Sequence, residues 1–560
     1  TKSFFTVNDF KSWAQTVDIK KWKVKYYKGL GTSTDKEGKE YFQNISKHQI
    51  NFKYRDHEDD EAIDLAFNKK KADDRKQWLT TYDPEVGVDH NQKTLRYYDF
   101  VHKELIQFSY YDNLRSIPSL CDGFKPGQRK ILYACFKRNL KAEIKVAQLV
   151  GYVAEHSAYH HGEASLAQTI VGMAQNFVGA NNINLLMPIG QFGSRYMGGK
   201  EAASSRYIYT NLSKLARCIF NEHDDHLYKY VEDDGQVVEP EWYLPIIPMI
   251  LVNGADGIGT GWSTSVPCYN PRDIVENLIR KLKGGEFDNM KPWFRGYKGT
   301  IEPTGKGGYT VVGKYEILDE NTLRIYELPI RKWTREYKNF LENLLNPEEG
   351  DPEIEDIKEY HTNNSVDFVI RLPPGKLDSI IKGEGIEKKF KLIGSISATN
   401  MVLFDPHGKL KKYNDIKEIM EEYFEFRLQF YQKRKDYLVS KLLRELEILE
   451  NKKRFVLAVI ADDIKLRNSK KSDILRELAA KGYKMMKDIT KIKSTKLAQE
   501  ALSPQENPEE STESDQEADI EAKEYNYLLS LPIWSLTYEK VEELKKEVFL
   551  IFDICLTFPA

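Results

Sequence analysis

The sequence predicts a multidomain α+β protein, and three observations carry that reading. The chain has 560 residues, too many for one ordinary hydrophobic core. From about 266 to 410, strand-like runs such as "TLRIYEL" and "VDFVIRL" alternate with turn-rich and helix-like segments. From Asp415 to Ile460 there is neither Gly nor Pro, and apolar residues recur at spacings of three and four. That is one long helix, and its length suits half of a coiled coil.

Composition sets further bounds. Apolar residues make up 41% and charged residues 30%, as in a soluble globular protein. The net charge of −2 conceals strong local asymmetry and says little about partners. Five scattered cysteines (Cys121, Cys135, Cys218, Cys268, Cys555) form no CxxC pair, so neither a disulfide framework nor a zinc ribbon is expected, and a reducing intracellular setting is. No signal peptide stands at the N-terminus. The densest apolar run, "VFLIFDICLTF", is too short for a membrane span and carries Asp553. The opening "TKSFF" has no methionine, which raises the expectation of a fragment.

In chain order, "WKVKYYKGLGTS" predicts a strand entering a Gly-rich loop, and "DKEGKEYFQNI" a helix. "EAIDLAFNKKKADDRKQWL" predicts a helix with a solvated charged face. A block over 95–265 is richer in Gly, His and small residues, with "LAQTIVGMAQNF" as a buried helix. The α+β region over 266–410 and the long helix follow. A small helical unit reaches about Glu500. Between Glu506 and Glu524, nine acidic residues face one lysine, a composition that predicts disorder. "YNYLLSLPIWSLTYEKVEELKKEV" restarts a helix that dissolves into the apolar tail. No internal repeat is evident.

Four stretches could carry chemistry. "GFKPGQRKILYACFKRNLKAEIK", Gly123 to Lys145, sets seven Lys or Arg against one Glu, with apolar residues at helical spacing. One face suits a core and the other phosphates, although a solvated basic helix would read the same way. "AYHHGEASLAQ" places His160 and His161 before a helix start. Successive side chains diverge and no third ligand is evident, so a phosphate contact at the helix N-terminus, or plain turn histidines, fit better than a metal. "NGADGIGTGWST" is rich in glycine but lacks the GK[ST] ending of a P-loop, so nucleotide binding is not expected there. Its Ile258 reads by pattern as a core residue of a hairpin, with an intercalating wedge as the alternative.

The fourth stretch is "SSRYIYT", Ser204 to Thr210. A tyrosine hydroxyl ordinarily ionises near pH 10, so attack on phosphorus needs a stabilised phenolate, which Arg206 or the upstream Lys200 could supply. In an extended segment Tyr207 and Tyr209 would share a face and Arg206 the opposite one. Locally the motif does not choose between the two tyrosines.

Together, "KYYKGLGTS", "NLRSIPSLCDGFKPGQRKILY", "AYHHGEASLAQTIVGMAQNFVG", "GGKEAASSRYIYT", "EPEWYLPIIPMILVNGADGIGTGWST" and "FDPHGKLKKY" follow the order seen in eukaryotic type IIA DNA topoisomerases, which the chain resembles from about residue 3 to 545. The resemblance implies a C-terminal remnant of a TOPRIM domain (1–60), a helical linker (61–94), a winged-helix cleavage domain (95–265) and a tower (266–410). A coiled-coil arm (411–460), a helical dimer gate (461–540) holding the acidic insert 503–524, and a divergent tail (541–560) complete it. It implies double-stranded DNA as partner, a homodimer, a nuclear location and no membrane. The implied activity is cleavage and religation through a transient 5′-phosphotyrosine that separates intertwined duplexes, as in chromosome segregation.

Carried over by position, the nucleophile falls on Tyr207, with Arg206 its neighbouring stabiliser and Arg115 and His161 the next stabilisers of the transition state. Lys28, Lys125, Arg129, Lys130 and His160 match DNA contacts. Ile258 matches the family's wedge, and Tyr209 becomes strand packing. The helical Arg–Lys–His–Arg constellation of tyrosine recombinases is not present.

Three family features find no counterpart in this sequence. There is no ATPase domain, so ATP would act only through a part not in this chain. No EGDSA-like or DxD motif is found; Mg²⁺ belongs to the complete enzyme, and no metal ligand is assigned here. "RDHEDDEAID" carries acids at 56, 58 and 60 but is expected to be a solvated loop. The returning helix of the coiled coil is expected to be truncated. A chain or N-terminal region supplying the ATPase and TOPRIM parts is then a partner. The alternative is a catalytically incomplete protein that binds and bends DNA.

Overall fold

The computed structural model describes residues 2–5, 7–25, 27, 33–90, 92–233, 236–305, 307–466, 470–492 and 523–557. Lys28, the surrounding Gly-rich stretch and the acidic insert as far as Ala522 lie outside the described residues. The chain divides into two units, Thr1–Phe426 and Arg427–Ala560, with the division inside the long helix. Helices and antiparallel sheets together make the predicted α+β multidomain architecture.

In the first unit, Trp22–Lys25 forms no strand. Helix α1 (Asp35–Gln43) is where "DKEGKEYFQNI" placed it, started by a capping box in which Thr34 and Glu37 satisfy each other's backbone N–H groups. Strand β1 (Asn51–Lys53) leads into α2 (His57–Phe67), and after a break α3 (Ala72–Thr80) follows. The single helix expected over 61–80 is thus two. Asn68 ends the first by capping back to Asp64, and Lys71 starts the second. Nor is "RDHEDDEAID" a solvated loop. Asp56 caps α2, and Asp59 is fully buried, accepting from the backbone N–H groups of Arg55 (2.7 Å) and Tyr98 (2.8 Å). Arg96, at the end of β2 (Thr94–Arg96, parallel to β1), closes the cluster through Asp56, Glu58 and Asp59.

A π-helical turn, Phe100–Leu105, runs into α4 (Ile106–Ser116). Next come α5 (Pro126–Lys137), β3 (Ile144–Lys145), α6 (Val146–His156), α7 (Glu163–Ala174) and β4 (Tyr209–Thr210), which pairs antiparallel with β3. The apolar faces of α5, α6 and α7 close on one core that includes Ile131, Leu149, Val153, Leu166, Ile170 and Ile208. Two hairpins follow: β5 (Tyr230–Asp233) with β6 (Gln236–Pro240), and β7 (Ala255–Ile258) with β8 (Ser263–Val266).

The stretch 266–410 is sheet-rich. Strands β9 (Thr300–Pro303), β10 (Gly308–Val312), β11 (Lys314–Asp319) and β12 (Thr322–Glu327) precede α8 (Thr334–Leu345). After it come β13 (Asp356–Glu359), β14 (Phe368–Arg371) and β15 (Ile393–Ser397). They make two antiparallel sheets, ordered β15-β10-β9 and β11-β12-β14-β13. The alternation in "TLRIYEL" is realised literally: Leu323 and Ile325 enter the core with Phe368, Ile370 and the buried Tyr337 of α8, while their neighbours stay partly exposed. A final hairpin, β16 (Met401–Phe404) with β17 (Leu410–Tyr413), bridges Phe404 to Ser119 just beyond α4.

Helix α9 (Ile416–Ile460) is continuous over 45 residues. In the second unit, α10 (Lys471–Ala480) packs Leu475 and Leu478 with Phe455, Tyr483 and Tyr525. The last helix, α11 (Tyr538–Thr557), sets Val541 and Leu544 against Val456 of α9. The apolar tail is therefore not irregular: α11 runs on through it to Thr557, leaving Phe549, Leu550 and Phe552 exposed. Among the described residues no helix is long and apolar enough to cross a membrane, and Cys121, Cys135, Cys218 and Cys268 are free thiols.

Candidate nucleic-acid interface

Tyr207 sits on a turn between the helical core and β4, not on the extended strand that its alternation with Tyr209 suggested. Its backbone N–H closes the turn on the Ser204 carbonyl (2.9 Å). Ile208, the next residue, is buried in the α5–α7 core, and this throws the Tyr207 ring outward, 74% exposed. The first two N–H groups of α6 fix the same turn: Val146 donates to the Ile208 carbonyl and Ala147 to that of Ser205, each at 3.0 Å. These donors belong to the unsatisfied first turn of a helix, so the turn also serves as the helix's cap. Arg206 is exposed beside Tyr207. Tyr209 is paired in β4 opposite Lys145, whose ammonium lies 5.9 Å from the Tyr209 ring centroid. The fold thus separates two tyrosines that the motif left equivalent.

Ile258 ends β7 at the tip of its hairpin and is 84% exposed. The hairpin reading holds, but the core reading does not. The glycines on either side explain the exposure: a Cβ on Gly257 would lie 2.0 Å from the Ser116 carbonyl oxygen, and one on Gly259 2.1 Å from Asn113 Oδ1. Only glycine lets the hairpin lie that close to α4. Asn113 Nδ2 donates to the Thr260 carbonyl (3.0 Å), and the Thr260 hydroxyl to Asp112 (2.9 Å). An apolar side chain is held in solvent by a clamped backbone. Arg115 is exposed in the last turn of the same α4.

The basic helix divides differently from its charge pattern. Lys125 precedes α5 and donates to the Asp256 carbonyl oxygen of β7 (2.8 Å), tying that helix to the Ile258 hairpin. Burial pushes its ammonium below the usual lysine range, opposed by the Asp256 carboxylate. Arg129 is buried and forked onto Asp122, Nε to Oδ2 at 2.7 Å and Nη2 to Oδ1 at 3.0 Å. Lys130 binds Glu239 (2.8 Å) and the Ser157 carbonyl. Both cations turn inward, so neither has the exposed phosphate-facing place that the charge pattern suggested. Lys137, Arg138 and Lys141 are the exposed cations of that stretch. His160 and His161 are exposed just before α7, with Gly162 as the cap residue and the His161 ring edge-on to Tyr159 at 5.4 Å.

Asp122, Glu239 and Asp256 are what residue-by-residue reading missed. Each is an ordinary carboxylate in sequence and acquires meaning only from a cation brought against it. Asp256 also pairs with Arg331 (2.7 Å).

The sequence model of the DNA gyrase/topoisomerase IV A-subunit family matches residues 115–550, and that of the C-terminal associated domain of TOPRIM matches residues 1–113. The chain belongs to the DNA gyrase/topoisomerase IV family. Within it, the chain is 50% identical over 544 residues to DNA topoisomerase 2 of Plasmodium falciparum, covering 97% of this chain and 39% of that protein. It is 49% identical to DNA topoisomerase 2 of Arabidopsis thaliana (100% of this chain, 39% of that protein) and to human DNA topoisomerase 2-beta (97% and 34%). The chain therefore spans little more than a third of the curated relatives it matches. The crystal structure of the P. falciparum topoisomerase II DNA-binding, cleavage and re-ligation domain superposes with a TM-score of 0.81 at 48% identity, over 99% of this chain and 74% of that one.

Type IIA topoisomerases require a divalent metal in general. Among the described residues no three His, Cys, Asp or Glu side chains gather as a metal site. The carboxylates beside the basic helix are engaged: Asp122 with Arg129, Glu239 with Lys130, and Asp256 with Arg331. Among the described residues, these carboxylates do not fit such an ion.

Proposed function

We propose that this chain is the DNA-binding, cleavage and religation core of a type II DNA topoisomerase, with Tyr207 as nucleophile. The observation that carries the reading is the Tyr207 turn: an exposed phenol on a backbone fixed from three directions, next to an exposed arginine, in a chain of this family. The phenolic oxygen attacks a backbone phosphorus, the bond from phosphorus to O3′ breaks, and the 3′ oxygen leaves and takes up a proton. The product is a 5′-phosphotyrosine. Because one phosphodiester replaces another, the 3′-hydroxyl can attack in turn and restore the strand. Arg206, with Arg115 and His161, would stabilise charge on the pentacovalent phosphate. Lys125 and His160, together with Lys28, would contact the duplex, while Arg129 and Lys130 would act by holding that surface in shape. Ile258 would enter a base step and bend the duplex. The working assembly would be a homodimer in the nucleus acting in chromosome segregation, with Mg²⁺ and with a chain or N-terminal region supplying the ATPase and TOPRIM parts.

The test is covalent capture. Incubated with a nicked duplex, Mg²⁺ and the TOPRIM region, wild type should yield a protein–DNA adduct that survives denaturation, and Tyr207→Phe should not. An adduct that persists in Tyr207→Phe overturns the assignment. DNA bending by Ile258 without any adduct from wild type would favour the non-cleaving alternative.

A further inference from the structure

The turn bearing Tyr207 is held to the helical core on both sides, and its N-terminal side also continues a loop docked on the sheet-rich region. Its C-terminal side belongs to the helical core, through buried Ile208 and the pairing of Tyr209 with Ile189. Its N-terminal side emerges from the loop 190–203, where the Ala203 N–H donates to the Gln191 carbonyl (2.9 Å). That loop is compact. Ser194 bonds Glu201 through both its N–H and its hydroxyl, the Gly199 N–H donates to the Ser194 carbonyl, and Gln175 reaches the Phe192 and Gly199 carbonyls.

The outer face of the loop is docked on the sheet-rich region. Arg195 is bound to Glu327 at the end of β12, with side chains 5% and 1% exposed. Glu327 is itself held by the backbone N–H groups of Leu328 (2.9 Å) and Lys298 (3.1 Å). The Trp333 ring lies so close to Gly198 (φ +66°) that a Cβ there would fall 2.2 Å from Cε2. Tyr196 stacks on His361 with centroids 5.5 Å apart. Its N–H donates to the Asn363 carbonyl, and its own carbonyl accepts from Arg335 at the start of α8. A buried arginine–carboxylate ion pair and an indole pressed on backbone leave this loop little freedom of its own.

We infer that the tower positions the nucleophile: Arg195, through Glu327, and Trp333, through Gly198, are positioning residues that set the orientation of the Tyr207 turn. This rests on Tyr207 being the nucleophile, and its mechanical part stands apart from that reading. Neither side chain need touch DNA. A displacement of the sheet-rich region would strain the N-terminal end of the turn against the Ser205 and Ile208 contacts that tie it to the helical core.

The test uses the full chain with Trp333→Ala, Trp333→Phe and Arg195→Lys, each first shown to keep a cooperative melt. Hydrogen–deuterium exchange without DNA should rise in the peptide spanning 204–210 and stay unchanged in α5 and α7, with Trp333→Phe close to wild type. In single-turnover cleavage, Trp333→Ala and Arg195→Lys should form adduct about tenfold or more slowly, since an ångström-scale misplacement of a reacting group costs on that order or more. DNA affinity should change by no more than about twofold, because the contacts of the binding surface are untouched. Unchanged exchange at 204–210 overturns the inference whatever cleavage does. So does a rate loss that merely follows a matching loss of affinity. If Tyr207→Phe forms as much adduct as wild type, the cleavage reading and the catalytic consequence fall together, and exchange alone decides whether the tower holds the turn.

Discussion

Gly257 lies against the last turn of α4 so closely that a methyl group at its Cα would stand 2.0 Å from the carbonyl oxygen of Ser116. The obstacle is backbone and cannot swing aside. Gly257→Ala should therefore push the β7–β8 hairpin off α4 and cost about 1–3 kcal/mol of stability, as overpacking does. Thermal unfolding checks the cost, and bend angles from fluorescence transfer across a labelled duplex should fall in parallel.

Ile258, one residue on, should behave oppositely. Its side chain is 84% exposed, so Ile258→Ala should leave stability within about 0.5 kcal/mol of wild type. DNA bending should decrease markedly. An unchanged bend angle would remove the wedge role.

Arg129 should act as a structural residue. Truncating it leaves Asp122 buried without its cation, a loss of about 3–5 kcal/mol for such pairs. Urea unfolding of Arg129→Ala measures this. At a temperature where the variant is folded, the salt dependence of DNA binding should keep its slope, whereas losing a phosphate contact would reduce it by about one unit.

Asp59 should make the N-terminal module acid-sensitive. Burial raises its carboxyl pKa, but the Tyr98 and Arg55 N–H groups and Arg96 outweigh that and hold it below the usual range. A carboxylate lowered on folding stabilises fully above its unfolded value near pH 4, and the contribution disappears as pH falls through the lower folded value. Stability of wild type should drop in that acid window, and Asp59→Asn should be destabilised at neutral pH with a flatter profile. Denaturant titrations across the window report both.

What can be read from sequence depends on the range of the interactions. The helices α1, α5, α7 and α9 follow from apolar spacing within a few residues of chain, helped at α1 by its capping box, and β12 and β14 from alternation. The glycines of "NGADGIGTG" correctly mark a hairpin. They do not show which way Ile258 points, because that depends on α4, more than a hundred residues earlier. "RDHEDDEAID" misleads for the same reason: its acids look solvated until Arg96 and the Tyr98 backbone are folded over Asp59. The break at Asn68 between α2 and α3 is a local signal, visible in the "NKKK" run and outweighed there by helical spacing.

By itself the sequence determined the family and the fold class and picked out the motifs proposed to carry the chemistry, because those are written in contiguous residues. The tertiary structure decided which member of each motif faces solvent. Tyr207 is exposed because Ile208 is claimed by the helical core, and Arg129 and Lys130 turn inward because Asp122 and Glu239 are there to meet them. Burial is a property of what lies opposite a side chain, and for these residues the opposite partners come from distant parts of the chain or from the choice of which helix face the core takes.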